Sequence, residues 1–142
     1  MSTGASSMVA AAFRAALLGL ALGACAPAPP PLADLSGTSW RVVLINGRPT
    51  PATANYSMRF DVNGGIGAHF GCNSMGGRYR MVGGTLTVSD LASTLMGCPE
   101  PAASFEAQGS AVLRQPVQVS FTSNERMGLS NAAGSIALDP IR

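Results

Sequence analysis

The chain has no lysine. All nine basic side chains are arginine, set against seven acids, so the formal net charge is only +2. Charged residues make up 11% of the chain and are scattered, so the basic stripe that tracks phosphates is missing and nucleic acid is disfavoured as a partner. No apolar run reaches the length of about 20 residues that a membrane-spanning helix needs. No repeat recurs at a period of 20 to 50 residues, which argues against solenoids and propellers. What is present is 142 residues, 46% of them hydrophobic, enough for one domain around one core. Seventeen Gly and ten Pro are many for a helical protein and point to strands and turns.

The apolar stretch that does occur is short and lies near the start. Met8 to Ala24 reads MVAAAFRAALLGLALGA, with one charge at Arg14 and then ten apolar or Gly residues. A basic front, a 7–15-residue apolar middle and small residues at the end describe a secretory signal. Its end, Leu22-Gly23-Ala24-Cys25, resembles the lipobox of bacterial lipoproteins, in which the Cys receives the lipid and becomes the mature N-terminus. Met8 is the expected start, because the seven residues before it carry no basic charge. Ala26 stands where many lipoproteins carry an Asp that retains them at the inner membrane, so the resemblance implies the outer membrane. The expected organisation is a signal peptide over 1–24, a lipidated Cys25 with a Pro-rich linker over 25–36, and one domain over 37–142. The linker APAPPPLADLS is an extended, semi-rigid spacer by composition.

Within the domain the pattern is that of strands. Thr38 to Ile45 is β-branched and aromatic and ends at Asn46-Gly47, a turn dipeptide that tolerates positive φ. Tyr56, Met58, Phe60 and Val62 alternate with polar residues, and the pattern resumes at Ile66, Ala68 and Phe70. Further strand pairs follow over Arg78–Val82 with Thr85–Val88, and over Met127–Ser130 with Ser135–Leu138, with a strand at Val117–Phe121 between them. One helix is predicted, Pro101 to Leu113, its apolar stripe made of Phe105, Gly109, Val112 and Leu113. Gly109 on that stripe predicts close packing against a sheet. The fold class is α+β: a strongly curved, mostly antiparallel sheet of about eight strands, barrel-like, with one packed helix.

The densest signal is Gly71-Cys72-Asn73, with Gly76, Gly77 and Tyr79 behind it, followed by Thr94-Leu95-Met96-Gly97-Cys98-Pro99. Together with Gly37-Thr38-Ser39-Trp40 and Ile45-Asn46-Gly47-Arg48-Pro49, these residues resemble the META/HslJ domain family over about Leu35 to Leu138. The resemblance implies a cracked barrel with one helix, a lipid-anchored life in the envelope, and a link to heat shock and antibiotic tolerance. It brings no enzyme activity, catalytic residue, metal or other cofactor. Its signature residues here are Trp40, Gly71, Cys72, Asn73, Tyr79, Thr94, Met96 and Cys98.

With Cys25 given to lipid, Cys72 and Cys98 remain as an even pair. In an oxidising compartment a bridge between them closes about 27 residues and contributes roughly 3.5 kcal/mol in the chain-entropy account. Buried thiols that only pack are a second reading. A His69, Cys72 and Cys98 zinc site, or a thiol nucleophile with His69 as base, is a third; on a strand a spacing of three puts His69 and Cys72 on opposite faces and counts against it. Asn73 and Thr94 read as residues that hold a sharp turn among Gly71, Gly76 and Gly77. Trp40 reads as core, or else as the floor of a groove between sheet and helix. Met58, Met75, Met81, Met96 and Met127 read as core filling, or as the lining of that groove. Arg78 and Arg80 lie on one strand face, solvated or meeting lipid phosphates or a partner's acids. The expected function is that of a non-enzymatic binding or scaffold protein of the outer membrane, facing the periplasm. The expected partners are the membrane, through the N-terminal lipid, and an envelope protein. The alternative is a carrier of a small apolar ligand or acyl chain in the barrel groove.

Overall fold

The computed structural model describes residues 34–142; the signal peptide, Cys25 and the linker as far as residue 33 lie outside them. The described chain forms β1 (Thr38–Ile45), β2 (Arg48–Pro49), β3 (Tyr56–Phe60), β4 (Gly65–Phe70), β5 (Ser74–Val82) and β6 (Thr85–Ser93). The helix α1 (Ala102–Leu113) follows, and β7 (Val117–Phe121), β8 (Met127–Asn131) and β9 (Gly134–Pro140) complete it. Each strand from β3 to β9 pairs antiparallel with the next, and β1 pairs with both β3 and β9. Eight strands thereby close on themselves, and two-residue β2 is added at the end of β1. The class is the expected one, an antiparallel barrel with a single helix among the described residues.

The turn chemistry explains the tight connections. Asn46 and Gly47 both take positive φ, 50° and 75°, and fold β2 back on β1. A bulge between Val42 and Leu44 lets Val42 and Ile45 both face inward although three positions separate them. An eight-stranded barrel is just wide enough for side chains to fill it. Met58, Phe60, Phe70, Leu86, Met127, Leu129, Ile136 and Leu138 do so, all but closed to solvent.

Three expectations about boundaries change. Val62 leaves the alternation and stands exposed in the β3–β4 turn, because β3 already ends at Phe60. Gly76 and Gly77 belong to β5 rather than to a turn. Gly77 has no room for a Cβ, which would come within 2.7 Å of the Ser89 carbonyl where the β5–β6 register shifts. Strand β6 runs on past Val88 to Ser93 through that same irregularity, with Asp90 at φ 55°.

The helix closes one end of the barrel. Its stripe of Phe105, Gly109, Val112 and Leu113 is buried as expected. A Cβ on Gly109 would lie 2.6 Å from the Phe70 ring, so only glycine lets the helix seat this deeply on β4. Phe105 meets Tyr56 edge-on at 5.6 Å, and Asn131 at the end of β8 donates its amide to the Val112 carbonyl at 2.8 Å. The other end of the barrel, where β1 begins and β9 finishes, carries no helix among the described residues.

Candidate functional site

At the helix-closed end, β4 hands over to β5 through Gly71, Cys72 and Asn73. Gly71 takes φ 116°, and a Cβ there would sit 2.5 Å from the Tyr56 hydroxyl, so both backbone and space demand glycine. Asn73 follows and is 3% exposed, a buried polar side chain in an apolar core. Such a group is costly unless every donor and acceptor is matched. Here each is. The Asn73 Nδ2 donates to Glu106 Oε1 at 2.7 Å and to the Met96 carbonyl at 3.1 Å. Its Oδ1 accepts from the Met96 N–H at 2.8 Å and from the Thr94 hydroxyl at 2.9 Å. Its own N–H donates to Glu106 Oε2 at 2.6 Å, and Thr94 Oγ1 accepts from the Ser74 N–H at 3.1 Å.

Cys72 and Cys98 are bridged, with Cα atoms 5.9 Å apart. The bridge and Asn73 together pin the loop from β6 to α1 against the β4–β5 turn. Two parts of the chain that a sequence shows as separate motifs thus form one staple. Glu106, from α1, completes it and was not among the expected residues; a lone carboxylate on a helix gives no pattern to read. Met96 departs from the core-filling expectation: its backbone serves Asn73, while its side chain and that of Leu95 project into solvent. Met58, Met75 and Met127 are buried, and Met81, partly buried, packs against the core.

His69 is not part of the staple. Its Nε2 lies 2.9 Å from the Ser74 hydroxyl on the outer face of the sheet, and its Nδ1 is buried without a partner among the described residues. Among the described residues, the side chains grouped closely enough to share a metal are Cys72, Cys98 and Glu106, and both sulfurs are spent in the bridge. The zinc and thiol-nucleophile readings built on His69 are therefore not assembled by this geometry.

The open end is the second feature. Trp40, 7% exposed, donates its indole N–H to Thr38 Oγ1 at 2.8 Å and lies 6.2 Å from the Phe121 ring. With Leu35, Gly37, Pro140 and Ile141 they line a concavity of about 570 Å³, open to solvent. Trp40 is thus core and mouth at once, and the groove it floors lies at the end of the barrel away from the helix. Behind the mouth, Tyr79 packs edge-on to Phe60 at 5.0 Å. Burial, and then the nearby Asp34 carboxylate, raise the Tyr79 phenol above its usual range, and burial raises that of Tyr56. At the rim Asp139 is held below the usual carboxylate range, chiefly by its hydrogen bond from Arg126.

A closed antiparallel barrel, capped at one end by a helix stapled through a bridged Cys pair and a buried Asn, defines a class of small stapled β-barrel modules. Within that class, the profile of the META domain matches residues 33–138, and the chain belongs to the META domain family. Two structures solved by NMR share the fold. One is 25% identical, with 74% of this chain and 90% of that one covered and a TM-score of 0.64. The other, from Burkholderia xenovorans, is 19% identical over 75% of this chain and 83% of that one, with a TM-score of 0.62. No curated protein matches the chain.

Proposed function

We propose that the protein is a lipid-anchored META-domain module of the outer membrane, facing the periplasm, that binds or scaffolds an envelope partner and performs no catalysis, in the service of envelope stress or antibiotic tolerance. The observation that carries the non-catalytic part is the state of the motif residues. Asn73, Thr94 and Glu106 direct their polar groups at one another and at backbone, and Cys72 and Cys98 hold each other. They are used in holding the fold. The bridge also supports the compartment, since such bonds persist in oxidising surroundings. The segment ending Leu22-Gly23-Ala24-Cys25 supports the anchor.

The intact mass of detergent-extracted protein, before and after reduction and alkylation, tests this. The expected mass is that of residues 25–142 plus acyl chains, with Cys72 and Cys98 alkylated only after reduction. An unlipidated chain with thiols that react freely overturns the reading, as does turnover of a small substrate by the purified protein.

The concavity lined by Trp40 and Phe121 favours a second reading, a carrier of a small apolar ligand or acyl chain. The barrel interior is filled by side chains, so the ligand would lie in the mouth. Native mass spectrometry showing a co-purified lipid supports this reading, and empty protein removes it.

A further inference from the structure

The two ends of the barrel differ in a way the family motif does not explain. At the open end the chain enters, with Asp34 and Leu35 on the wall of the concavity. Exposed apolar side chains gather at this same end. Phe121 and Ile141 line the mouth and are about half exposed. Val62, 83% exposed, projects from the β3–β4 turn beside Gly37, whose Cβ position lies 3.3 Å from a Val62 methyl. Val82, also exposed, ends β5 toward the same side.

The charges at this end are sorted. Glu125 pairs with Arg142, Asp139 with Arg126 and Arg41, and Asp61 with Arg59. Among the described residues, Arg78 and Arg80 form no ion pair. They stand on the exposed face of β5, with Arg78 donating to the Asn63 carbonyl next to Val62. Among the same described residues Asp34 is the rim carboxylate without an ion pair, so the unpaired charge of the described rim is net basic. Apolar tips flanked by arginine match the headgroup-to-acyl boundary of a bilayer, where apolar groups bury shallowly and cations meet phosphates.

Tether length decides which end meets the membrane. From Cys25 to Asp34 is nine residue steps, and no chain spans more than about 3.6 Å per residue, so the reach is at most about 32 Å. A folded domain of this size is some 35 Å across by the usual scaling of radius with length. The tether is therefore shorter than the domain, and the end it joins is the end held near the lipid.

We infer that the open mouth of the barrel faces the bilayer and seats its rim, Val62, Phe121 and Ile141 with Arg78 and Arg80, on the phospholipid surface. The occupant of the rim is the lipid surface itself. The helix-capped end, with exposed Leu95 and Met96, points into the periplasm. This orientation rests on the lipid-anchored reading above.

The test uses the full lipidated chain in phospholipid vesicles with and without brominated acyl chains, since bromine quenches tryptophan emission only at short range. Two variants that keep Trp40, Val62→Trp and Leu95→Trp, place a reporter on an exposed site at each end, and each reporter is read as the difference from the unmutated protein, in which Trp40 alone emits. The expected result is quenching of the Val62→Trp signal by about twofold or more at interfacial depth, with the Leu95→Trp signal unchanged. Adding Phe121→Ser and Ile141→Ser then relieves the quenching while the protein still floats with the vesicles. Floating protein with both reporters equally quenched, both unquenched, or the pattern reversed overturns the orientation and leaves the anchor standing. Protein that does not float overturns the anchor and the orientation together.

Discussion

Asn73 and Glu106 meet amide to carboxylate across 33 positions of sequence, the backbone N–H and the side-chain amide of one each donating to a different oxygen of the other. The pair joins the β4–β5 turn to the helix that caps the barrel. Removing either side leaves a buried polar group unmatched, which costs more than the bond itself is worth.

Asn73→Ala should therefore lower stability by about 2–4 kcal/mol, since several buried groups lose a partner at once. Asn73→Asp should cost at least as much at neutral pH, because it sets a carboxylate against Glu106 in a partly buried site. Thermal denaturation of both variants beside the unmutated protein checks this. A loss within experimental error for Asn73→Ala contradicts the account of the staple.

Gly109→Ala reverses the usual rule. In an open helix the change gains about 1 kcal/mol. Here the new Cβ meets the Phe70 ring at 2.6 Å, so a net loss of about 1–3 kcal/mol is expected from overpacking. Phe70→Leu combined with Gly109→Ala should recover part of that loss relative to the two single changes added together. Urea denaturation of the four proteins measures the coupling.

Reduction of the Cys72–Cys98 bridge, or Cys72→Ser with Cys98→Ser, should cost about 3.5 kcal/mol if the closed loop acts by restricting the unfolded chain. The urea midpoint with and without reductant reads this directly. The double variant should no longer respond to reductant.

Asp139 supplies the acid limb of the stability curve. Its carboxyl is held low in the folded state, first by the hydrogen bond from Arg126. The stabilisation is present above the unfolded carboxylate value of about 3.9 and fades as pH falls through the lower folded value. Asp139→Asn should flatten that limb and, with the partner Arg126 partly exposed, cost less than about 1 kcal/mol at pH 7. Unfolding free energies from pH 7 down to pH 2 on both proteins settle it.

Much of the barrel was legible where one physical demand acted on one residue. Asn46-Gly47 read as a turn because only such residues take two successive positive φ values, and they take them. The stripe ending in Val112 and Leu113 read as a buried helix face, and Gly109 as a close approach, for reasons of period and volume alone. The reading failed where a residue answers to a distant neighbour. Gly76 and Gly77 looked like a turn, but it is the Ser89 carbonyl on the next strand that forbids a Cβ at Gly77. Met96 looked like core because its side chain is apolar, whereas its peptide group is what Asn73 requires. Glu106 gave no signal, since its role is defined by a partner that only the fold brings near.

The seam between β1 and β9 has a kinetic meaning. It lays Val42 beside Leu138, residues from opposite ends of the domain, and it is the pairing that closes the ring. Contacts of such long sequence separation form slowly, because the intervening chain must first be ordered. A chain emerging N-terminus first holds β1 as an unpaired edge on that side until its last strand arrives. The ring therefore locks only once the final strand has been made, however early the rest of the sheet forms.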